Sequence, residues 1–293
     1  ALECLRAGEG LRPRSHGSDD WVQFGLHSLL SVAGRIRQMN PFAADRTVKA
    51  DGSPTTPLEM EIEATVREAL LRFAPEASFL GEESGGSLVP EGWTVVVDPI
   101  DGTYAYLSHT ETFASVLTVF RDGAPEIGLV ASPLTGEVAY AEAGGTSRLI
   151  RMDLWGEGDQ GLDLPLPDAD PETVLVSLHP ARGAGPALAS LMDGWNDGRV
   201  RMVRAPGGSP SWALLGAARG HFTYVNRWRK AHSEAWDLAA GALLVRGAGG
   251  DVVDSEGRPI DPVGHHGLFV AGVHAAHRER VLELLAGAGE AER

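Results

Sequence analysis

The sequence predicts a layered α/β fold with an α+β first half and an α/β second half. Three observations predict it. Short apolar segments separated by hairpin-turn signals occupy residues 93–141. After residue 174, short apolar strands alternate with helix-length segments. Between them lies a stretch rich in Gly, Asp and Pro, residues 144–171, where we expect the subdomain boundary; the two subdomains are then 1–147 and 148–293.

The elements follow in order. Ser18, Asp19 and Asp20 can cap a helix from Trp21 to Met39, which Asn40-Pro41 stops. A polar loop runs from Lys49 to Pro54. Thr56-Pro57-Leu58-Glu59 is a helix start with Thr at the N-cap, Pro at N1 and Glu at N3. Ile62, Val66, Ala69, Leu70 and Phe73 give that helix one apolar face, and Pro75 ends it. Trp93 to Val97 is an apolar strand ending at Asp98. Thr112 to Phe120, Glu126 to Ala131 and Glu137 to Ala141 form an antiparallel meander turning at Asp122-Gly123 and Thr135-Gly136. In the second half, strands are expected at Val174–Leu178, Val200–Val203, Phe222–Val225, Val252-Val253 and Leu268–Ala271. Helices are expected at Pro186–Trp195, Ser209–Arg219, Ala235–Arg246 and His274–Leu285.

Composition narrows the function. In 293 residues, 43% hydrophobic and 22% charged is ordinary for a globular chain and excludes disorder or a collagen repeat for the whole. No apolar run approaches the roughly 20 residues that span a bilayer. Ala1 to Asp20 carries Arg6, Arg12 and Arg14 but no apolar core, so no secretory signal is expected. The single cysteine, Cys4, excludes an intramolecular disulfide and a Cys-based zinc site, in accord with a cytoplasmic location. A net charge of −15 repels nucleic-acid backbones, so no nucleic-acid partner is expected. Most of the 40 acids are solubilising surface; a converging few can hold a hard cation such as Mg²⁺.

Several motifs fail. Gly156-Glu157-Gly158-Asp159-Gln160-Gly161 matches GxGxxG, but Pro165 and Pro167 follow where a helix should start, so it reads as a linker. There is no GxxxxGK[ST]. Gly207-Gly208-Ser209-Pro210-Ser211 lacks the last glycine of a serine-hydrolase elbow.

Three acidic segments carry chemistry: Gly81-Glu82-Glu83-Ser84, Val97-Asp98-Pro99-Ile100-Asp101-Gly102-Thr103 and Glu234-Ala235-Trp236-Asp237. An apolar strand delivers Asp98, and Pro99 makes a sharp exit. Asp101 then comes back with the Ile100 carbonyl between them, and Gly102 lets the backbone approach a ligand. Two carboxylates and a carbonyl are hard oxygen donors suited to Mg²⁺. The alternative is a strand end with an Asx turn and a helix cap. For Asp237 the alternative is an acid favoured by the helix dipole.

In this order, and with Gly249-Gly250 following, the three segments resemble the inositol monophosphatase family, within the larger superfamily of Mg²⁺-dependent, Li⁺-sensitive phosphomonoesterases. The resemblance runs from about Lys49 to Gly250. It implies an αβαβα sandwich like that of the fructose-bisphosphatases, two or three Mg²⁺ per active site, and a homodimer. Glu82, Asp98 and the Ile100 carbonyl would hold one Mg²⁺, and Asp98, Asp101 and Asp237 a second. Glu82 and Thr103 would orient the attacking water. The N–H groups of Gly102 and Thr103, with Asp101, Gly208, Ser209 and Asp237, would contact the substrate. The metal site would belong to the first subdomain and the specificity elements to the second.

Two positions depart from the family pattern. Glu59 stands where the family has aspartate; it either completes the capping box or assists a third metal, and the two roles are compatible. Lys230 stands where many inositol phosphatases have a glutamate, inside Arg227-Trp228-Arg229-Lys230, and that basic cluster suits a second phosphate. Trp228 could stack on a base or pack an interface. Lys49 with Asp51-Gly52-Ser53-Pro54 resembles a mobile loop near the metals; the alternative is a surface turn.

The expected activity is Mg²⁺-dependent hydrolysis of a small-molecule phosphomonoester of a sugar, polyol or nucleotide by a metal-activated water. Within that class the alternatives are a 3′-phosphoadenosine 5′-phosphate phosphatase, a fructose-bisphosphatase and a histidinol-phosphate phosphatase. From other classes come a catalytically silent phosphometabolite-binding protein and an interaction scaffold.

Overall fold

The computed structural model describes residues 16–39, 46–49, 52–151, 161–167, 173–177, 185–228 and 233–289. Cys4, Asn40-Pro41, Asp51, the 156–160 part of the GxGxxG match, and Arg229-Lys230 lie outside the described residues.

Helix α1 (Ser18–Gln38) is followed by a two-stranded hairpin, β1 (Thr47–Val48) and β2 (Pro54–Thr55), and by α2 (Pro57–Phe73). The next segment holds β3 (Ser78–Gly81), β4 (Gly85–Gly86), β5 (Trp93–Asp101), the one-turn helix α3 (Thr103–Leu107), β6 (Ala114–Arg121), β7 (Ala124–Ser132), β8 (Glu137–Glu142), β9 (Arg148–Arg151) and β10 (Leu162–Asp163). Then come β11 (Thr173–Ser177), α4 (Gly185–Asn196), β12 (Met202–Arg204), α5 (Pro210–Ala218), β13 (Thr223–Trp228), α6 (Ala235–Gly247), β14 (Asp251–Asp254), β15 (Gly267–Gly272) and α7 (Ala275–Gly289).

Two sheets organise these elements. The larger has eight strands in the order β10-β9-β8-β7-β6-β5-β3-β4, antiparallel except where β3 pairs with β5. The smaller has the order β12-β11-β13-β15-β14 and is mixed: β11 runs parallel to β12 and β13, whereas β15 is antiparallel to β13 and β14. Helices α1 and α2 cover one face of the large sheet and share a core of Trp21, Phe24, Phe73, Leu117 and Leu129. Helices α5 and α6 lie between the sheets, and α4 and α7 cover the outer face of the small one. This is the αβαβα sandwich.

The central layer is made of small residues for a steric reason. Helix α6 reads Ala-Trp-Asp-Leu-Ala-Ala-Gly-Ala-Leu-Leu-Val and is buried nearly all round. A Cβ on Gly128 of β7 would lie 2.7 Å from the Ala240 Cα, and one on Gly241 would lie 2.5 Å from Leu214. Glycine at both points lets sheet and helices close to backbone contact.

Several local expectations change. The N-cap of α1 is Gly17, whose N–H donates to Asp20 Oδ2 at 3.0 Å, so the acids act from inside the first turn. The expected polar loop at Lys49–Pro54 closes the β1–β2 hairpin, with Lys49 N–H on the Ser53 carbonyl at 2.8 Å. Strand β3 was not foreseen: four residues give too little alternation to register, and its pairing partner lies across a turn and a glycine-rich segment.

The largest correction concerns Asp98. The strand does not end there with a sharp exit at Pro99. It continues to Asp101 through a β-bulge: Asp98 pairs with Val116 and Asp101 with Ala114, so three steps on β5 oppose two on β6. In a regular strand residues i and i+3 point to opposite faces. The extra residue brings both carboxylates to the same face. Pro99 is tolerated because a bulge residue donates no ladder bond, and its carbonyl is held by Ser115 Oγ at 2.7 Å.

Candidate active site

The bulge and the ends of three other elements meet at one cavity of about 240 Å³. Glu82, Asp98, Asp101, Gly102, Thr103 and Asp237 all line it, together with Ser53, Pro54, Tyr104, Pro210 and Trp228. Six of the site residues expected from sequence thus share one space, drawn from β5, the turn after β3, α3 and the first turn of α6.

Each acid is held by its own backbone context. Asp98 Oδ1 accepts from Ile100 N–H at 3.0 Å, so the Asx turn read as an alternative is present and is part of the bulge. Asp101 Oδ2 accepts from Ser209 Oγ at 2.8 Å and from Ser211 N–H at 2.9 Å. Asp237 Oδ2 accepts from Glu234 N–H at 2.6 Å, which fixes it in the first turn of α6. Gly102 sits at φ +92°, and a Cβ there would lie 2.9 Å from Ser209 Cβ, so only glycine passes the chain from bulge to helix here.

Electrostatics mark the cluster as short of positive charge. Burial pushes the Asp98 carboxyl well above the ordinary range, and the charges of Glu82 and Asp101 push it further. Burial also raises Asp101 to about 6, against the opposing hydrogen bonds from Ser211 and Ser209. A cation would relieve this repulsion, and four carboxylates with the Ile100 carbonyl are the hard oxygen set that Mg²⁺ takes. Among the described residues, however, no three His, Cys, Asp or Glu side chains stand close enough to close a metal shell as they are. The donors share a cavity without yet converging on one point.

A lysine supplies part of the missing charge. Lys49 Nζ lies 2.8 Å from Glu82 Oε1 and 2.5 Å from Glu83 Oε1. Burial disfavours its ammonium form, but the two glutamates outweigh that and its pKa is raised. Burial raises Glu83, and the Lys49 ammonium draws it back down. The surface-turn alternative for Lys49 therefore gives way to an ion pair inside the site.

Glu59 completes the capping box and also reaches into the turn after the bulge. Its Oε2 accepts from Thr56 N–H at 2.6 Å and Thr56 Oγ1 at 2.8 Å, completing the capping box. Its Oε1 accepts from Thr103 Oγ1 at 2.8 Å. Burial raises its pKa to about 7, with the Thr103 and Thr56 hydrogen bonds opposing. The Thr103 hydroxyl also lies 3.1 Å from the Ile100 carbonyl.

Other expected residues stand one step back. Ser209 is 1% exposed, and its Oγ serves Asp101 and caps α5 by accepting from Trp212 N–H at 2.9 Å. Gly208, at φ +103°, packs so tightly that a Cβ would lie 2.4 Å from the Thr112 carbonyl oxygen. Lys230 lies outside the described residues. Trp228 is 9% exposed and part of the inter-sheet core, so its face is not open for a base to stack on.

Sequence reasoning missed Glu63. It is fully buried on α2, one turn after Glu59, and accepts from Glu83 N–H at 2.9 Å and Ser84 N–H at 2.8 Å. It thereby fixes the turn that carries Glu82. A Cβ on Gly81 would lie 2.1 Å from Glu63 Oε2, which explains that glycine. The available signal was an acid set among Ile62, Val66 and Leu70 on the apolar face of the helix.

The chain matches the profile of the Inositol monophosphatase family over residues 22–290. It is 33% identical over 258 residues to a probable inositol 1-monophosphatase, ImpA, of Mycobacterium tuberculosis, covering 85% of this chain and 88% of that one. It is 31% identical over 251 residues to a histidinol-phosphatase of the same organism, covering 82% and 87%. Among solved structures, the inositol monophosphatase of Thermotoga maritima superposes with a TM-score of 0.74 at 20% identity, covering 93% of this chain and 99% of that one. At that identity the superposition shows the fold.

Proposed function

The chain belongs to the inositol monophosphatase family, whose members are metal-dependent, and it is a phosphomonoester hydrolase; on that premise we propose that Mg²⁺ is its metal and that the acid-lined cavity is where hydrolysis occurs. The observation that carries the reading is that Glu82, Asp98, Asp101 and Asp237 all line one cavity, with Asp98 and Asp101 both raised by burial and by the charge of Glu82.

Glu82, Asp98 and the Ile100 carbonyl would hold one Mg²⁺; Asp98, Asp101 and Asp237 a second; Glu59 would assist a third. When bound, the metal lowers the pKa of a water, neutralises phosphate charge and stabilises the leaving alkoxide. The protein's groups do the rest. Thr103 donates its one proton to Glu59, which leaves its lone pairs toward the cavity to accept from a water and orient it. Glu82 takes part in the same orientation. Glu59, at about 7, is poised to take up a proton passed through Thr103. The N–H groups of Gly102 and Thr103 would receive the phosphate oxygens. Ser209 would serve the substrate through Asp101, Gly208 would shape the turn beside it, and Lys230 would meet an anionic group beyond the ester. In the division of labour we propose, the first subdomain, 1–147, supplies Glu82, Asp98 and Asp101, and the second, 148–293, supplies Asp237 and the specificity elements while its β9 and β10 complete the large sheet.

The substrate class is a sugar, polyol or nucleotide monoester, the enzyme a cytoplasmic homodimer without nucleic-acid partners. Among the described residues, no helix is long and apolar enough to cross a membrane. The test is phosphate release from inositol 1-phosphate, histidinol phosphate, fructose 1,6-bisphosphate, 3′-phosphoadenosine 5′-phosphate and AMP, with and without Mg²⁺. Release from at least one ester that requires the metal supports the reading. Release that is indifferent to Mg²⁺ and other divalent ions counts against it.

A further inference from the structure

Of the acids that line the cavity among the described residues, Glu82, Asp98 and Asp101 stand on or beside strands of the large sheet, and Asp237 alone stands on α6. The donors share the cavity without closing a metal shell as they stand, so the pose of Asp237 bears directly on whether the shell closes. Two things fix that pose. The body of α6 is buried nearly all round and holds the backbone. The carboxylate is oriented by a close bond, Glu234 N–H to Asp237 Oδ2 at 2.6 Å. Glu234 is the N-cap, only half inside the helix, so whatever holds that residue also aims the acid.

The residue before the N-cap is Ser233, which is 0% exposed and is clamped to the loop ahead of β15. Its N–H donates to the His265 carbonyl at 2.8 Å, and its carbonyl accepts from Gly264 N–H at 2.8 Å. Its hydroxyl donates to the Pro262 carbonyl at 2.9 Å and accepts from His265 N–H at 2.8 Å. The loop is itself fixed: Asp261 Oδ1 accepts from Val263 N–H at 3.0 Å, and Val263 packs on the cluster of Ala235, Trp236 and Ala239. A short polar chain thus runs from this loop through Ser233 and the Glu234 N–H to the Asp237 carboxylate. Helix α6 does not need the clamp to form, because tertiary burial already holds it. The clamp acts where the helix begins, beside the acid.

We propose that Ser233 is a positioning residue for the metal centre: its hydroxyl locks the loop ahead of β15 to the start of α6 and thereby holds the Asp237 carboxylate in the pose that takes the second Mg²⁺. This rests on the active-site reading above and deepens it. Groups that orient a metal ligand from behind typically account for about 10–100-fold in metal affinity. Without the hydroxyl, the Pro262 carbonyl and the His265 N–H both lose their partner, and the loop no longer holds Ser233 through its side chain.

The test is Mg²⁺ binding by isothermal titration calorimetry, with no ester present, on the parent, Ser233→Ala, Asp237→Asn and the double variant. Ser233→Ala should raise the Mg²⁺ dissociation constant of one site about tenfold. In the Asp237→Asn background the same change should add no more than about twofold, because the ligand it orients is already gone. Ser147→Ala is the structural control. That serine is also 0% exposed and donates to the Leu244 carbonyl at 2.7 Å near the other end of α6. Its loss should lower Tm and leave Mg²⁺ binding within about twofold of the parent. Ser233→Cys fills nearly the same space with weaker hydrogen bonds and serves where Ser233→Ala does not fold; binding about threefold weaker is expected. The proposal is overturned if the folded Ser233 variants bind Mg²⁺ as the parent does, or if Ser233→Ala weakens binding equally with and without Asp237. It is also overturned if Ser147→Ala weakens binding as much, or if neither Ser233 variant folds, which marks the residue as structural. A parent protein that binds no Mg²⁺ is a separate outcome: it overturns the active-site reading and the proposal with it.

Discussion

Replacing Glu59 with glutamine separates catalysis from stability at this site. The buried carboxylate accepts three close hydrogen bonds: Thr56 N–H at 2.6 Å, Thr56 Oγ1 at 2.8 Å and Thr103 Oγ1 at 2.8 Å. Moving its pKa from 4.5 to about 7 corresponds to about 3 kcal/mol against the ionised form in the folded protein. Because the folded pKa is raised, that stability is fully present below about pH 4.5 and is lost as pH rises through about 7. At pH 8 Glu59→Gln removes this cost. Its single amide oxygen can keep both Thr56 bonds, so the helix cap survives. The amide nitrogen then faces Thr103 Oγ1 as a donor, and the threonine proton turns to the Ile100 carbonyl, 3.1 Å away. The hydroxyl no longer has a base to pass a proton to. We expect kcat to fall by about 10²–10³, with a Tm at pH 8 equal to or above that of the parent. Phosphate release and thermal unfolding on the same samples check both. Activity within threefold of the parent would reduce Glu59 to a helix cap, and a large drop in Tm would make it a structural residue; either result refutes the reasoning.

Three further outcomes follow from the same geometry. Glu63→Ala leaves the Glu83 and Ser84 N–H groups without their acceptor and should cost about 2–4 kcal/mol in urea unfolding, with a higher Mg²⁺ concentration needed for half-maximal activity because Glu82 loses its anchored turn; an unchanged Mg²⁺ requirement would contradict this. Gly102→Ala forces a Cβ into a +92° backbone, 2.9 Å from Ser209 Cβ, and should cost on the order of 1–3 kcal/mol and most of the activity, seen in Tm and kcat. Metal-free protein should lose stability as pH rises from about 5 to 8. Glu59 near 7 and Asp101 near 6 bind protons in the folded state that the unfolded chain has released, so the slope is negative. A higher Tm at pH 8 than at pH 5 in EDTA would contradict the assignment.

Much of this was legible in the sequence because the signals were local. The meander could be read from Asp122-Gly123 and Thr135-Gly136, and α2 from Thr56-Pro57-Leu58-Glu59, since turn and cap chemistry act within four residues. The metal-ligand candidates could be read because three short motifs occur in a fixed order. What was not legible depends on pairing partners far along the chain. The bulge at Pro99-Ile100 exists only against Val116 and Ala114, so the local sequence reads as a strand that ends at Asp98. Glu63 looked like one more surface acid because its acceptor role depends on a turn twenty residues away. Ser209 read as a substrate contact by motif, yet its hydroxyl is taken by Asp101 and Trp212. Lys49 read as a surface turn or a mobile loop until the hairpin placed it between Glu82 and Glu83.

The central claim is that Asp98 and its neighbours form the metal centre on which the ester is cleaved. It is tested most directly by phosphate release as a function of Mg²⁺ for the parent enzyme and Asp98→Asn, with the best ester from the substrate panel. The account predicts a saturable Mg²⁺ dependence in the parent and no release above background in Asp98→Asn at the same concentrations, with the fold intact by circular dichroism. An Asp98→Asn enzyme that keeps the parent's rate and Mg²⁺ dependence would contradict it.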